Sequence, residues 1–275
     1  MKQNPAQPHE GDADSTADNQ QTEPLAVDTA SVGLTGGVRG CLFDLDGVIT
    51  KTAAVHAAAW KEMFDAYLRE TAAHSGGRFV PFDAVADYDA YVDGKSRVDG
   101  TRSFLASRGI SLPEGSAEDE SETVNGLGNR KNDIVLRHIR EDGVEVYEGS
   151  LRYVRAVRSY GLRLAVVSSS TNCRAVLVAA GIEDLFDQRI DGLTAKREHL
   201  TGKPAPDMFL AGAHALGLKP EECVVFEDAL AGVAAGRAGS FAEVIGVDRA
   251  GQAQALLDHG ADIVVSDLAN LLRTT

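Results

Sequence analysis

From residue 38 onward, short apolar runs alternate with stretches of helical period. The apolar runs are 40–45, 162–168, 222–227, 242–247 and 263–265. Helix-period stretches fill the gaps at 149–160, 171–180, 206–216, 230–238 and 251–257. Strands apolar throughout are buried on both faces, and helices between them supply the cover. The pattern therefore predicts an α/β fold with a doubly wound parallel sheet. The interval from residue 52 to about 145 breaks the alternation. Val55, Ala59, Met63 and Tyr67 recur at helical spacing, 98–107 forms a second helix, and Ile134, Val135 and Ile139 mark a third. This reads as a helical subdomain inserted between the first two strands.

Residues 1–36 have a different texture. They hold no aromatic residue, and one lysine stands against six acids. Such a segment cannot bury enough apolar surface to offset its ordering entropy, so a disordered acidic tail is expected. The expected core is then 37–51 with 147–275, and the insert is 52–146.

The whole chain of 275 residues carries a net charge of −14. That argues against nucleic acid or an anionic membrane as partner, while leaving room for a small anionic substrate. Cys41, Cys173 and Cys223 show no metal-type spacing and read as buried free thiols of a reducing compartment. No window approaches the ~18 apolar residues of a membrane span, and no secretion signal opens the chain. A cytoplasmic monomer is expected.

Chemistry collects where the strands end. The first apolar run closes on Asp44-Leu45-Asp46-Gly47 and the second on Ser168-Ser169-Ser170-Thr171-Asn172. Gly202-Lys203-Pro204 precedes a helix, and Glu227-Asp228 closes the run 222–227. A doubly wound sheet brings all four to one edge, where such folds bind ligands. Taken singly, each has a plain structural reading. D-x-D-G also opens calcium loops, but here an apolar strand precedes it and Val48 occupies the third ligand position. A serine run is commonly a loop, Lys203 could lie at the surface, and Glu227-Asp228 could complement a helix dipole. Together they suit phosphoryl transfer through an aspartyl phosphate. A carboxylate attacks phosphorus, a lysine and a hard cation offset charge on the equatorial oxygens, and hydroxyls hydrogen-bond them. Asp46, two residues on, points differently from Asp44 and could act as acid and base.

The strings DLDGVIT, VVSSST, GKPAPDMF and FEDALAGVAAG resemble the four motifs of the haloacid dehalogenase superfamily of phosphotransferases. The resemblance runs from about residue 38 to the end of the chain. It implies a Rossmann-like core and Mg²⁺ as cofactor, with Asp44 as nucleophile and Asp46 as general acid/base. Ser168 and Lys203 would hold the phosphoryl group. Asp44, the backbone carbonyl of Asp46, Glu227 and Asp228 would surround the metal. The insert resembles the α-helical cap of the β-phosphoglucomutase-like branch. By that likeness His56 assists Asp46, with Trp60 four residues on along the same helix face. Arg97, helped by Lys95, grips the phosphate that is not transferred. Lys131 and Asn132 face the sugar, and Ser170 and Asn172 join Arg97. Two positions depart from that branch: Lys51 replaces a usual aspartate, and Thr171 replaces a frequent lysine, which removes a cation.

A mutase must shield its aspartyl phosphate from water while a sugar bisphosphate turns over, which cap closure on hinges near 50–52 and 144–147 would provide. The second phosphate site favours a mutase that interconverts β-glucose 1-phosphate and glucose 6-phosphate. A phosphatase of small sugar phosphates is the alternative, and a non-catalytic binding protein on the same fold is a third reading.

Overall fold

The computed structural model describes Met1 and residues 29–273. Six parallel strands form one sheet in the order β3-β2-β1-β4-β5-β6. They are β1 (Gly40–Phe43), β2 (Arg163–Val167), β3 (Gln188–Ile190), β4 (Cys223–Glu227), β5 (Glu243–Val247) and β6 (Ile263–Val265). Strand β1 is buried at every position, as is β4, which explains why both read as unbroken apolar runs. One apolar layer, joining α4 (Glu148–Ser159) and α5 (Cys173–Ala179) to the sheet, contains Phe43, Tyr153, Val176 and Phe226. The opposite layer contains Leu42, Phe209, Val225 and Val233, with α7 (Asp207–Ala215), α8 (Leu230–Ala238) and α9 (Ala253–Asp258) covering it. Phe43 and Phe226 stack at 4.5 Å between ring centroids.

Five of these strands match apolar runs of the sequence. The sixth, β3, reads Gln-Arg-Ile and lies at the sheet edge, where one-sided burial removes the apolar signal. The short helix after it, α6 (Gly192–Glu198), is equally polar and was not expected either.

The expected tail needs correcting at its end. Residues 2–28 lie outside the described residues. Thr29–Val32 forms a 3₁₀ turn, and Val32 and Leu34 are buried in the core. The Tyr153 hydroxyl donates to the Val32 carbonyl at 3.0 Å, and Arg273 N to Ser31 O at 3.1 Å. Two apolar side chains in a polar stretch suffice to dock it, because a prepared groove of core residues receives them.

The insert comprises α1 (Thr52–Ser75), a π-helical turn at Tyr88–Val92, α2 (Arg97–Ser107) and α3 (Val124–Asp142). Its own core stacks Trp60, Phe64, Phe82 and Phe104, with centroids 4.1 to 5.3 Å apart. Truncating the fully buried Phe64 to alanine would cost about 3–5 kcal/mol. Ser96 caps α2 by accepting from Asp99 N, and Thr123 caps α3 by accepting from Gly126 N. The two chain crossings between core and insert pair antiparallel at Thr50 and Val146. Lys51 N donates to Glu145 O and Tyr147 N to Ile49 O, each at 2.9 Å. All three cysteines are buried and free.

Candidate active site

Strand register assembles the site. Phe43 lies opposite both Phe226 and Val166, so Asp44, Glu227 and Val167 come level one residue later. Ser168 follows one step beyond. Each strand then breaks from the sheet, and the side chains of its final residues turn toward the edge. Gly47 follows with φ +95, and a Cβ there would collide with the Asp228 carboxylate. Only glycine lets these two loops approach so closely.

Lys203 is the hub of the floor. Its ammonium donates to Asp44 Oδ1 and to Glu227 Oε1, each at 2.5 Å, with its side chain fully buried. Glu227 Oε2 accepts from Ala229 N at 2.8 Å, so both of its oxygens are occupied. Asp44, Glu227 and Asp228 each offer an oxygen, all within 4.8 Å of one another, and could together hold a metal ion. An all-oxygen donor set fits a hard divalent cation such as Mg²⁺. Burial pushes the Asp44 and Asp228 carboxyls well above the usual carboxylate range. Lys203 moves up as well: burial pulls it down, but Asp44 and Glu227 more than offset that. Crowded buried acids of this kind invite positive charge.

Asp46 stands apart from that cluster. Thr52, at the first position of α1, donates its hydroxyl to Asp46 Oδ1. Ser168 donates to Asp46 Oδ2 at 3.3 Å, and His56 Nε2 lies 3.6 Å from Oδ1. The His56 ring also meets Lys131 at 2.8 Å through Nδ1, and the Lys131 ammonium sits 4.7 Å from the Trp60 ring centroid. Burial lowers Lys131 to about 7. Burial first, then Lys131, lowers His56 to about 4.

A cavity of about 790 Å³ separates insert and core and is lined by groups from both. Among the described residues, three hydrogen bonds cross it. Asn172 Nδ2 donates to Asn132 Oδ1 at 2.9 Å, Arg97 Nη1 to Thr171 Oγ1 at 3.2 Å, and Ser169 Oγ to Gly94 O at 2.8 Å. The insert is thus closed onto the serine loop. His56, Trp60, Arg97, Lys131, Asn132, Ser170 and Asn172 all line this cavity with Asp44 and Asp46. Lys95 lines it too, but its ammonium donates to Tyr91 O at 3.0 Å and Ser103 Oγ at 3.1 Å within the insert. It is therefore not free for an incoming phosphate in this arrangement. Lys51 does not line the cavity. It pairs with the exposed Glu145 at 2.7 Å, so it does not replace the cation missing at Thr171.

Several cavity residues carried no motif signal. Tyr88 and Asp93 share a side-chain hydrogen bond, and Asp93 is raised to about 7 by burial and then by Glu227. Lys196 and His199 line the cavity as well. The Thr52 contact to Asp46 could be suspected only from its place at the first turn after the motif.

The family model for haloacid dehalogenase-like hydrolases matches residues 38–239. A curated protein of Mycobacterium bovis named beta-phosphoglucomutase is 58% identical over 246 residues, covering 88% of this chain and 94% of its own. A Bacillus subtilis protein of the same name is 32% identical, with 85% and 92% covered. The crystal structure of beta-phosphoglucomutase from Clostridium difficile superposes with a TM-score of 0.67 at 27% identity, over 85% of this chain and 93% of that one. The chain belongs to the haloacid dehalogenase-like hydrolases. It is an enzyme of phosphoryl transfer, a phosphotransferase or a phosphatase, on an α/β Rossmann-like fold. Among the described residues, no helix is long and apolar enough to cross a membrane.

Proposed function

We propose that this enzyme is a Mg²⁺-dependent β-phosphoglucomutase that interconverts β-glucose 1-phosphate and glucose 6-phosphate through the 1,6-bisphosphate, acting as a cytoplasmic monomer. The observation that carries the proposal is one closed cavity with Asp44, which Lys203 contacts, on the core side and Arg97, Ser170, Thr171 and Asn172 across the insert boundary. In this reading the first group takes the transferring phosphate and the second the phosphate that stays. The likeness to relatives named beta-phosphoglucomutase supports it.

In this reading Asp44 attacks the phosphorus of a bound bisphosphate. A P–O bond forms to Asp44 while the bond to the sugar oxygen breaks, and Asp46 gives that oxygen its proton. The product, glucose 6-phosphate, leaves and β-glucose 1-phosphate binds with its 6-hydroxyl toward the aspartyl phosphate. Asp46 takes the proton from that hydroxyl as it attacks the phosphorus and the bond to Asp44 breaks, and the 1,6-bisphosphate so formed turns end for end to present its 1-phosphate to Asp44. Lys203 and Ser168 hold the oxygens of the transferring group. Asp44, the Asp46 carbonyl, Glu227 and Asp228 would hold Mg²⁺, which when bound offsets charge on the phosphoryl oxygens. His56 and Lys131 keep Asp46 in reach and face the sugar with Trp60 and Asn132. Arg97 anchors the phosphate that is not moving.

A sugar-phosphate phosphatase is the second reading, favoured by the missing cation at Thr171. One experiment separates them. The protein is incubated with Mg²⁺, β-glucose 1-phosphate and a trace of the 1,6-bisphosphate, and phosphorus NMR is recorded. Appearance of the 6-phosphate supports the mutase. Free phosphate alone sinks it.

A further inference from the structure

Arg249 belongs to none of the four motifs. It follows β5 in a turn organised by Asp248, whose Oδ1 accepts from the backbone N–H groups of Ala250, Gly251 and Gln252 at 2.7 to 3.2 Å. That turn projects the guanidinium back over the loop that carries Asp46. Four hydrogen bonds and one ion pair hold it. Nε donates to Gly47 O at 2.8 Å. Nη2 donates to Val48 O at 3.3 Å and Ser150 Oγ at 3.0 Å. Nη1 donates to Ser266 O at 2.9 Å and lies 3.5 Å from Asp267 Oδ2. The planar face stacks on Tyr147, 3.6 Å from the ring centroid. In the same turn, Gln252 Nε2 donates to the Asp228 carbonyl at 3.2 Å.

These acceptors are not a random set of buried carbonyls. Gly47 and Val48 immediately follow Asp46. Tyr147 belongs to the second crossing, where its N–H donates to Ile49 O. The first crossing leads to Thr50 and Thr52, whose hydroxyls lie 2.6 Å apart, and Thr52 holds the Asp46 carboxylate. One side chain therefore fastens the Asp46 loop, which runs on into the first crossing, to Tyr147 of the second. We propose that Arg249 is a positioning residue that makes insert closure and Asp46 placement a single motion, and so decides whether the phosphoryl group on Asp44 passes to sugar or to water. A lysine cannot substitute: it offers three donors from one point and no plane to stack.

The inference rests on the mutase reading, and the experiment keeps the two apart. Arg249→Lys and Arg249→Ala are made in the full chain and given Mg²⁺, β-glucose 1-phosphate and a trace of the bisphosphate. The ratio of free phosphate to sugar 6-phosphate is expected to rise about tenfold in Arg249→Lys, because a misplaced acid/base group loses orientation. Hydrolysis of acetyl phosphate, which has no second phosphate for the insert to grip, should change less than about threefold. Added guanidinium ion should restore the wild-type ratio to Arg249→Ala. If that variant does not fold, Arg249→Lys alone decides. An unchanged ratio, or both reactions falling together with the melting temperature, overturns the proposal and leaves Arg249 a plain stabiliser. If the wild type makes no 6-phosphate, the mutase reading falls instead. Arg249 is then judged on the emission of Trp60, the chain's single tryptophan, when Mg²⁺ and orthophosphate are added. A wild-type response lost in Arg249→Lys upholds the coupling, and an equal response rejects it.

Discussion

The two sides of the site treat buried charge in opposite ways. On the core side, Lys203 is wholly buried yet held cationic, because Asp44 and Glu227 sit at 2.5 Å on either side. On the insert side, Lys131 is just as buried, but its nearest partners are the His56 ring and the face of Trp60. Its ammonium drops to about 7. A buried cation keeps its proton only where carboxylates compensate the lost hydration. Lys203 is therefore charged before anything binds, which is what the proposed contact with a phosphoryl oxygen requires. The insert wall can take up charge when an anion arrives.

The largest expected effect removes the core wall's reacting group. Asp44→Asn keeps the shape of the site but supplies no anionic nucleophile, and turnover should fall on the order of 10⁴-fold. The assay is formation of sugar 6-phosphate, together with loss of acid-stable, hydroxylamine-labile label from phosphorylated substrate. Retention of that label would break the comparison outright. Lys203→Met follows. It should lower turnover roughly 10²–10³-fold by withdrawing a donor from the transferring phosphoryl group. It also leaves Asp44 and Glu227 without their counterion, so denaturant unfolding at pH 7 should show a loss of about 3 kcal/mol.

Arg97 tests the far site. Arg97→Met should raise the KM for the 1,6-bisphosphate by roughly 30–100-fold, the cost of losing charge-assisted hydrogen bonds to one phosphate. Acetyl phosphate hydrolysis should stay within about threefold, since that donor never reaches the far site. Equal losses on both substrates would mean that Arg97 merely closes the insert through Thr171.

Lys131 sharpens the contrast through pH. Its folded pKa of about 7 lies below the ordinary lysine value of about 10.4. Between those values the unfolded chain binds a proton that the folded chain does not, so this residue makes stability rise with pH across that window. Lys131→Met should flatten the rise, measured as the difference in unfolding free energy between pH 7 and pH 9. Binding of β-glucose 1-phosphate at pH 8 should draw a proton onto Lys131, seen as buffer-dependent heat that the variant lacks. An identical pH slope in both proteins would show that Lys131 is charged already.

The same contrast explains what could be read from the chain alone. Asp44, Ser168, Lys203, Glu227 and Asp228 each sit at the end of a strand or the start of a helix, so a parallel sheet places them without further information. Phe43 opposite Phe226 and Val166 sets them level. The insert offered only strings. His56, Trp60, Arg97 and Lys131 reach the cavity through helix packing, and that depends on tertiary contacts such as the Phe64–Phe104 pair. Lys95 shows the limit. It lies in a motif-like loop, yet its ammonium turns into the insert. Arg249 was invisible for the reverse reason. A single arginine after a strand reads as a surface cation, and its partners come from segments scattered between Gly47 and Asp267. Val32 and Leu34 were diluted by the polar residues around them.

The smallest expected effect belongs to Lys51, and its smallness is informative. The branch that the chain resembles usually has an aspartate there, and it also often has a lysine where Thr171 stands, so an exchange of cations between the two positions is the obvious guess. The geometry opposes it. Lys51 is half exposed, pairs with the still more exposed Glu145, sits 6.0 Å from the Tyr147 ring and does not line the cavity. Exposed pairs of this kind gain little, because water screens both charges and ordering two long side chains offsets the attraction. Lys51→Ala should therefore shift the melting temperature by no more than about 2 °C. It should leave the KM for sugar phosphate within about twofold, whereas Arg97→Met raises it sharply. If Lys51→Ala instead weakened the bisphosphate as much as Arg97→Met does, the crossing would have to open far enough to bring Lys51 to the ligand. The closed arrangement held by Asn132, Arg97 and Gly94 would then not be the one that binds substrate.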